Sequence, residues 1–540
     1  MFILISSLLV LFIICTYPFV SFLYETLLQT NLAQNISKLM ASGSTLLAFK
    51  NTLLVSSSVC VISILLALPL AWFLTRSDLP KKGFWRTSFC LPYAIPPYVG
   101  AIAWIVLGNP SNGILNELFG MNLNVYTLGG LIWVMSSFFY TFILISLMSA
   151  MERLDPSLEE AARLSGATPL RVFFQITLPL IKPSLLSGIV LVFLAASASF
   201  GVPALIGNPA GIYMLTTKIY TYQKMGSFSG LHMAGLLSIL LLLLAVVSLV
   251  INQQILKRSK YSIVSGKTAR HSLIKLGVWT KPIKVFLSVL FFTLFLLPLS
   301  GILISALSKV QGIVHWSNFG IQNFGRLFFE VTETYRAFLN STLLAGGAAT
   351  VAVGLSVFLA YFQLKVKVRG RGIINILTSI PYATPGTVLA FAFILSFGRG
   401  IFSLYNTLLL IGIAYLSKYL NFALRTTTDG MNQVDSVLEE AARVSGASWW
   451  MTMRTIWFPL LTPALMASWF FVFMPAFSEL TMSVLLTGPG LETLGTLLFQ
   501  LQEYGDASGG GSSVLALMII VFILVMNTSV KKLSKGKYGL

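Results

Sequence analysis

Apolar residues in this chain recur in runs of about 20, long enough to cross a hydrocarbon core as helices. About twelve such runs centre on residues 2–24, 51–75, 87–107, 127–150, 184–206, 231–255, 285–307, 340–362, 373–397, 407–427, 465–487 and 512–530. The polar stretches between them are mostly short. The pattern predicts an all-α, polytopic membrane protein. The first run has no basic residue ahead of it and no small-x-small cleavage site, so it reads as an uncleaved anchor rather than a signal peptide.

The pattern repeats. Asn51-Thr52 pairs with Asn340-Ser341, and Leu91-Pro92-Tyr93-Ala94-Ile95-Pro96 with Ile380-Pro381-Tyr382-Ala383-Thr384-Pro385. After a shorter loop in the second half, Thr127-Leu128 pairs with Thr407-Leu408, Glu160 with Glu440, and Asn208-Pro209 with Gly488-Pro489. The unit is about 270 residues and six spans, and an even span number keeps both copies in one orientation, as a parallel repeat. The expected organisation is a first repeat over 1–256, a basic linker over 257–284 and a second repeat over 285–540, with a transport path between the halves.

Charge gives the orientation. Hydrophobic residues make up 56% of the 540 and charged ones only 10%, well short of a soluble protein's usual quarter, and the formal net charge is +19. The basic residues cluster at Arg76–Arg86, Lys257–Lys284, Lys365–Arg371 and from Lys531 onward, all on one side of a twelve-span layout. Basic short loops stay in the cytoplasm, so the linker and C-terminus are expected there, with the excess charge facing anionic lipid. A nucleic-acid role finds no support. Cys15, Cys60 and Cys90 sit inside apolar runs without C-x-x-C spacing and read as buried thiols; His232, His271 and His315 are scattered, so no metal site is expected. Ser265-Gly266-Lys267-Thr268 lacks the earlier glycine of a phosphate loop, because position 261 is Tyr.

On the same expected side lies a duplicated polar element, E-E-A-A-R-L-S-G-A at Glu159 to Ala167 and E-E-A-A-R-V-S-G-A at Glu439 to Ala447. It predicts two short helices. Asp155 and Asp435 supply N-terminal capping, and Glu159, Glu160, Glu439 and Glu440 put negative charge in the first turns, where the helix dipole favours it. Ala161, Ala162, Ala441 and Ala442 give a small-residue face, and Gly166 and Gly446 permit a turn. A second amphipathic piece, 169–176 or 448–456, is expected to end at a helix-breaking P-x-x-x-P, at Pro179 and Pro183 and at Pro459 and Pro463.

Glu160 to Pro179 matches E-A-A-x3-G-x9-I-x-L-P, the signature of permease subunits of bacterial ABC importers; Glu440 to Pro459 departs from it only at Phe458. The whole chain resembles that family. The resemblance implies that the duplicated segments couple to two copies of a separate ABC ATPase, which binds the ATP, while this subunit needs no cofactor and is not itself an enzyme. It also implies a periplasmic or surface substrate-binding protein as partner and the bacterial inner membrane as location. Ser199-Phe200-Gly201-Val202-Pro203-Ala204-Leu205-Ile206-Gly207 and Thr216-Thr217-Lys218-Ile219-Tyr220 are similar to stretches of fused ferric-iron permeases, as is Glu479-Leu480 with Ser483-Val484-Leu485-Leu486, where Thr481 replaces a proline. Thiamine, aminophosphonate and polyamine permeases share much of the signature and stand as alternative cargo classes.

Glu479 is an acidic residue inside an apolar run, and such residues face a bundle interior or a watery path, or serve only helix packing. The repeat places Ser199 opposite it. Pro92, Pro96, Pro97, Pro381 and Pro385 interrupt spans and free backbone carbonyls, as in a gate or a kinked structural helix. Ser199, Glu479, Pro96 and Pro385 are the candidate path residues. An ion-driven secondary transporter is the rival class, but it needs no matched E-A-A loops and uses several intramembrane charges, where Glu479 is nearly alone. No His, Ser or carboxylate constellation carries enzyme chemistry.

Overall fold

Apolar runs without competing turn residues close their backbone hydrogen bonds internally, and they fold as helices. The structure is a computed structural model that describes residues 2–28, 32–258, 273–365, 372–398, 403–504 and 510–533. Half of the linker expected over 257–284, residues 259–272, lies outside the described residues, as does the tail from 534. Among the described residues, ten helices are long and apolar enough to span a membrane, and two further pairs, Lys82–Tyr93 with Pro97–Gly108 and Ile373–Ala383 with Gly386–Phe397, are bent by 95° and 105°. The two bent pairs correspond to the expected spans at 87–107 and 373–397. Their bends have a backbone cause. Pro96 (ψ 130°) and Pro385 (ψ 137°) are extended and each caps the helix that follows, so one helix ends and the next starts in a new direction. Pro381 does not break its helix; it lies within Ile373–Ala383.

The P-x-x-x-P motifs correct another expectation. Pro169–Ala198 and Trp449–Phe477 each run continuously through both prolines, so the amphipathic piece and the span are one helix. The reason is a widened turn. Phe173–Thr177 is a π-helical turn closed by Leu178 N–H on the Phe173 carbonyl, immediately before Pro179; Met453–Trp457 precedes Pro459 in the same way. A proline lacks the N–H that an α-helical ladder would use, and a π-bulge shifts the ladder past that gap. The same pairing occurs at Phe12–Thr16 before Pro18 and at Phe292–Leu296 before Pro298.

The described chain forms two compact units. One comprises Met1–Ala41, Ile219–Leu242 and Phe324–Leu540; the other comprises Ser42–Lys218 and Leu243–Asn323. The repeat is a unit of sequence, and packing draws its lines elsewhere. In the first unit, Ser6–Leu27 packs against Gly386–Phe397, with Phe22 edge-on to Phe391 and the Ser417 hydroxyl donating to the Ile14 carbonyl. In the second, Gly277–Leu307 packs against Pro97–Gly108, where Gly301 lets Leu107 approach closely. The first helix of each repeat thus completes a core built mainly from the other.

The paired Asn51-Thr52 and Asn340-Ser341 do the same work in each unit. The Asn amides donate to the Tyr213 and Glu492 carbonyls at 3.0 and 2.9 Å, and the hydroxyls accept from Leu215 and Leu494 N–H at 2.9 and 2.8 Å. Each pair fixes the start of a short helix, Leu215–Lys224 or Leu494–Glu503, onto a long one. Cys15, Cys60 and Cys90 are buried and free.

Candidate functional site

Each duplicated segment is a nine-residue helix, Pro156–Leu164 and Ser436–Val444. The Asp155 and Asp435 carboxylates accept from the N–H of Ser157 and Val437 at 2.9 and 3.0 Å, which satisfies donors that a helix start leaves open. At the other end Gly166 and Gly446 take φ of +84° and +78°, Gly166 and Gly446 N–H bond the Arg163 and Arg443 carbonyls, and Ala167 and Ala447 N–H reach back to Ala162 and Ala442. That pattern is a Schellman cap. A side chain added at either glycine would meet nothing within 4 Å, so only the backbone opposes substitution. Gly166→Ala and Gly446→Ala are therefore expected to cost about 1–2 kcal/mol of local helix stability, with Gly→Asn milder because Asn tolerates the left-handed region. Hydrogen exchange across residues 156–167 checks this; equal protection in wild type and alanine variant would contradict it.

What fastens these helices to the membrane part is the first glutamate of each pair. Glu159 is 5% exposed, and its carboxylate meets the Arg76 guanidinium at 3.1 Å and the Thr177 hydroxyl at 2.7 Å, with Arg163 at 3.7 Å. Arg76, read in the sequence as loop charge, is 1% exposed at the end of Gly43–Arg76 and also donates to the Met151 carbonyl at 2.9 Å. The carboxylate thus joins the ends of two membrane helices directly and that of a third, Leu128–Arg153, through Arg76. In the second copy Glu439 is also buried, but its partners are Lys365 at 3.2 Å and Tyr361 at 2.9 Å, both from the helix Glu333–Lys365, and Arg443 at 2.7 Å from its own helix. The second attachment runs to one helix and is wetter. Lys365 and Arg443 side chains are 24% and 64% exposed.

Burial pushes the Glu439 carboxyl upward, but hydrogen bonds from Tyr361 and Lys365, with the charges of Lys365 and Arg443, outweigh it and hold the group below the ordinary carboxylate value. A depressed folded-state pKa means the attachment is at full strength above the unfolded value of about 4.3 and weakens as pH falls through the folded value. Helix Ser436–Val444 is therefore expected to lose hydrogen-exchange protection on acidification below about pH 4.3. Glu439→Gln should start less protected and lack that pH dependence; an identical pH profile in the variant would refute the assignment.

The second glutamates do not share this role. Glu160 is half-buried and Glu440 exposed, and Ala161 and Ala441 are exposed. Around them the segments present Leu164 and Val444 at 90% and 89% exposure, with Leu170, Phe174, Trp450 and Met451 also exposed. Small and apolar side chains thus stand at the surface of a helix pinned from beneath, and exposed apolar patches of this kind mark interaction surfaces.

The candidate path residues divide between the units. In the second unit Pro96 starts the helix Pro97–Gly108, which packs on Pro203–Gly207, and the Ser199 carbonyl accepts from Thr216 at 2.7 Å. In the first unit Pro385 and Glu479 come together. A side chain on Gly386 would meet Thr481 at 3.0 Å, so the bend lies directly against the turn that follows Glu479. The Glu479 carboxylate is buried and accepts from Met482 N–H at 2.9 and 3.1 Å, from Ser483 N–H at 2.9 Å and from the Ser483 hydroxyl at 2.7 Å.

The chain matches the family described as binding-protein-dependent transport system inner membrane component twice, over residues 61–260 and 352–537. It belongs to this family. It is an ABC-importer permease with two permease repeats in one polypeptide. Among its relatives, the ferric transport system permease protein FbpB of Actinobacillus pleuropneumoniae is 25% identical over 96% of this chain and 77% of its own. Fe(3+)-transport system permease protein FbpB 2 of Haemophilus influenzae is 28% identical over 87% of each chain. A putative 2-aminoethylphosphonate transport system permease protein, PhnV of Salmonella typhimurium, is 25% identical over 44% of this chain.

One residue of the permease escaped the sequence reading. Lys418, in the span Leu408–Asn432, donates to the Tyr382 carbonyl at 3.1 Å and to the Thr384 carbonyl, at the 105° bend. It satisfies carbonyls that the broken helix frees, and its charge suits a helix C-terminus. It also lies close enough to Glu479 for the two charges to interact. The repeat sets Phe138 in its place in the first half, where the Tyr140 hydroxyl instead serves the Phe89 carbonyl at 2.8 Å. A Lys well inside a membrane span was the available signal.

Proposed function

We propose that this permease moves ferric iron, delivered by a substrate-binding protein outside the membrane, and that each duplicated helix docks one copy of a separate ATPase. The observation that supports the cargo is the similarity along nearly the whole chain to permeases named for ferric transport, joined to the stretches around Phe200 and Glu479. The docking reading rests on the pinned helices and their exposed Leu164 and Val444. With the basic clusters inside, the docking helices, the linker and the C-terminus face the cytoplasm, where ATP is available.

The test is transport of radiolabelled ferric iron by cells lacking this chain and by cells complemented with it, under iron limitation. Loss of uptake that complementation restores supports the reading. A deletion strain that takes up iron normally but requires thiamine or an aminophosphonate would overturn the cargo and leave the permease role intact. Single cysteines at Leu164 and Val444 should each crosslink to the ATPase subunit in assembled complexes; failure of both would overturn the docking assignment.

A further inference from the structure

Residues 273–276, expected as part of a tether between the repeats, are stitched to the end of the helix Gly43–Arg76. Ile274 forms a parallel β-bridge with Ser77, the residue that follows that helix. The Ile274 N–H donates to the Arg76 carbonyl at 2.9 Å, the Asp78 N–H donates to the Ile274 carbonyl at 3.0 Å, and the Leu276 N–H donates to Asp78 Oδ1 at 2.8 Å. Ser77, Leu79 and Leu276 are buried at the bridge. A helix C-terminus leaves its last carbonyls without donors of its own, and here the far end of the linker supplies one. All these residues lie in one compact unit, that of Ser42–Lys218 and Leu243–Asn323.

Arg76 is thereby held at both ends. Its guanidinium meets Glu159 and the Met151 carbonyl, and its own carbonyl meets Ile274. The second hold matters because Arg76 is the last residue of its helix, and helix ends fray. A guanidinium keeps a buried carboxylate in place only while the backbone that carries it stays fixed. On one side of Arg76 stands the helix Pro156–Leu164; on the other, the span Gly277–Leu307 begins directly after Leu276. That span packs on Pro97–Gly108 through Gly301 and Leu107, and Pro97–Gly108 is the second limb of the 95° bend. Contacts therefore run without a gap from the helix Pro156–Leu164, through Glu159, Arg76 and Ile274, to a bent pair that carries a candidate path residue, Pro96.

We propose that Asp78, Ile274 and Leu276 are positioning residues of the first coupling helix: acting through Arg76, they tie the helix Pro156–Leu164 to the first span of the second repeat. The end of the linker is then a working part of the permease, and a displacement of that helix reaches the second repeat through main-chain bonds as well as through packing. Calling the helix a coupler rests on the docking reading above, whereas the tie itself is a property of this chain alone. Asp78 is the place to break it. Its side chain is exposed, so substitution leaves the core intact, and one of its oxygens carries the bond to Leu276.

The experiment is hydrogen exchange on the purified full chain in lipid nanodiscs, with no ATPase present. Asp78→Ala is expected to lower the protection of residues 156–164 about two- to tenfold, the net worth of one hydrogen bond, while Asp78→Asn, which keeps an acceptor oxygen, stays close to wild type. Coupling between two sites is reciprocal, so Glu159→Ala should in turn lower the protection of residues 274–276. Once Glu159→Ala has cut the tie, adding Asp78→Ala should cost residues 156–164 nothing further, a non-additivity that two unrelated structural defects do not give. Residues 436–444, in the other unit, should keep wild-type protection in every variant, which shows that the fold persists. Wild-type protection of 156–164 in Asp78→Ala, equal losses in Asp78→Ala and Asp78→Asn, or additive losses in the double variant would each overturn the proposal. Because the sample holds no ATPase, these results judge the tie alone, and the crosslinks at Leu164 and Val444 judge docking alone.

Discussion

Glu159→Ala is expected to destabilise the attachment of helix Pro156–Leu164 by about 3–5 kcal/mol, the cost of leaving a buried charge without its counterion. The charge left behind is Arg76, 1% exposed, which also donates to the neutral Met151 carbonyl. Thr177 loses its acceptor at the same time. Glu439→Ala should cost much less, because Lys365 and Arg443 retain partial access to water and can be solvated in place. On the proposed docking role, the consequence is an unequal pair of couplers in one polypeptide. ATP-driven uptake in reconstituted complexes should fall steeply for Glu159→Ala and modestly for Glu439→Ala, with exchange protection of residues 156–164 and 436–444 following the same order. Restoring apolar packing with Arg76→Met and Glu159→Leu together should recover protection that Glu159→Ala loses. Equal losses at the two sites would remove the argument from burial.

How much of this was legible in the sequence follows from the range of each interaction. The caps at Asp155, Asp435, Gly166 and Gly446 are local, and local chemistry is written in consecutive residues. The bends at Pro96 and Pro385 were legible for the same reason, since a proline constrains its own backbone and that of the residue before it. Arg76 was not. In sequence it stands among loop cations and 83 positions from Glu159, and only folding brings the two together. The continuity of Pro169–Ala198 through its prolines was hidden because a π-turn leaves no simple periodic mark. The placement of Ser6–Leu27 against Gly386–Phe397 was hidden because a helix that is apolar all round does not state which neighbour it will bury against.

Glu479→Ala is expected to reduce the amount of folded permease in the membrane more than it reduces uptake per molecule. The sequence alone left Glu479 divided between a watery path and helix packing, and geometry weights the second. Both carboxylate oxygens are occupied, one by Met482 N–H and the other by Met482 N–H, Ser483 N–H and the Ser483 hydroxyl. A carboxylate placed so caps the helix Ser483–Leu486 much as Asp155 caps its own helix. Truncation leaves buried donors unsatisfied at about 1–3 kcal/mol each and strands Lys418 without the nearby negative charge. The bend at Pro385 rests on this turn, so the damage should spread to the broken span. Glu479→Gln retains an acceptor oxygen and should recover part of the level, whereas Glu479→Asp, one methylene shorter, should recover less if reach to the turn is what matters. Membrane abundance and uptake measured in the same cells separate the roles. Normal abundance of Glu479→Ala with uptake lost would place the carboxylate in the transport path instead.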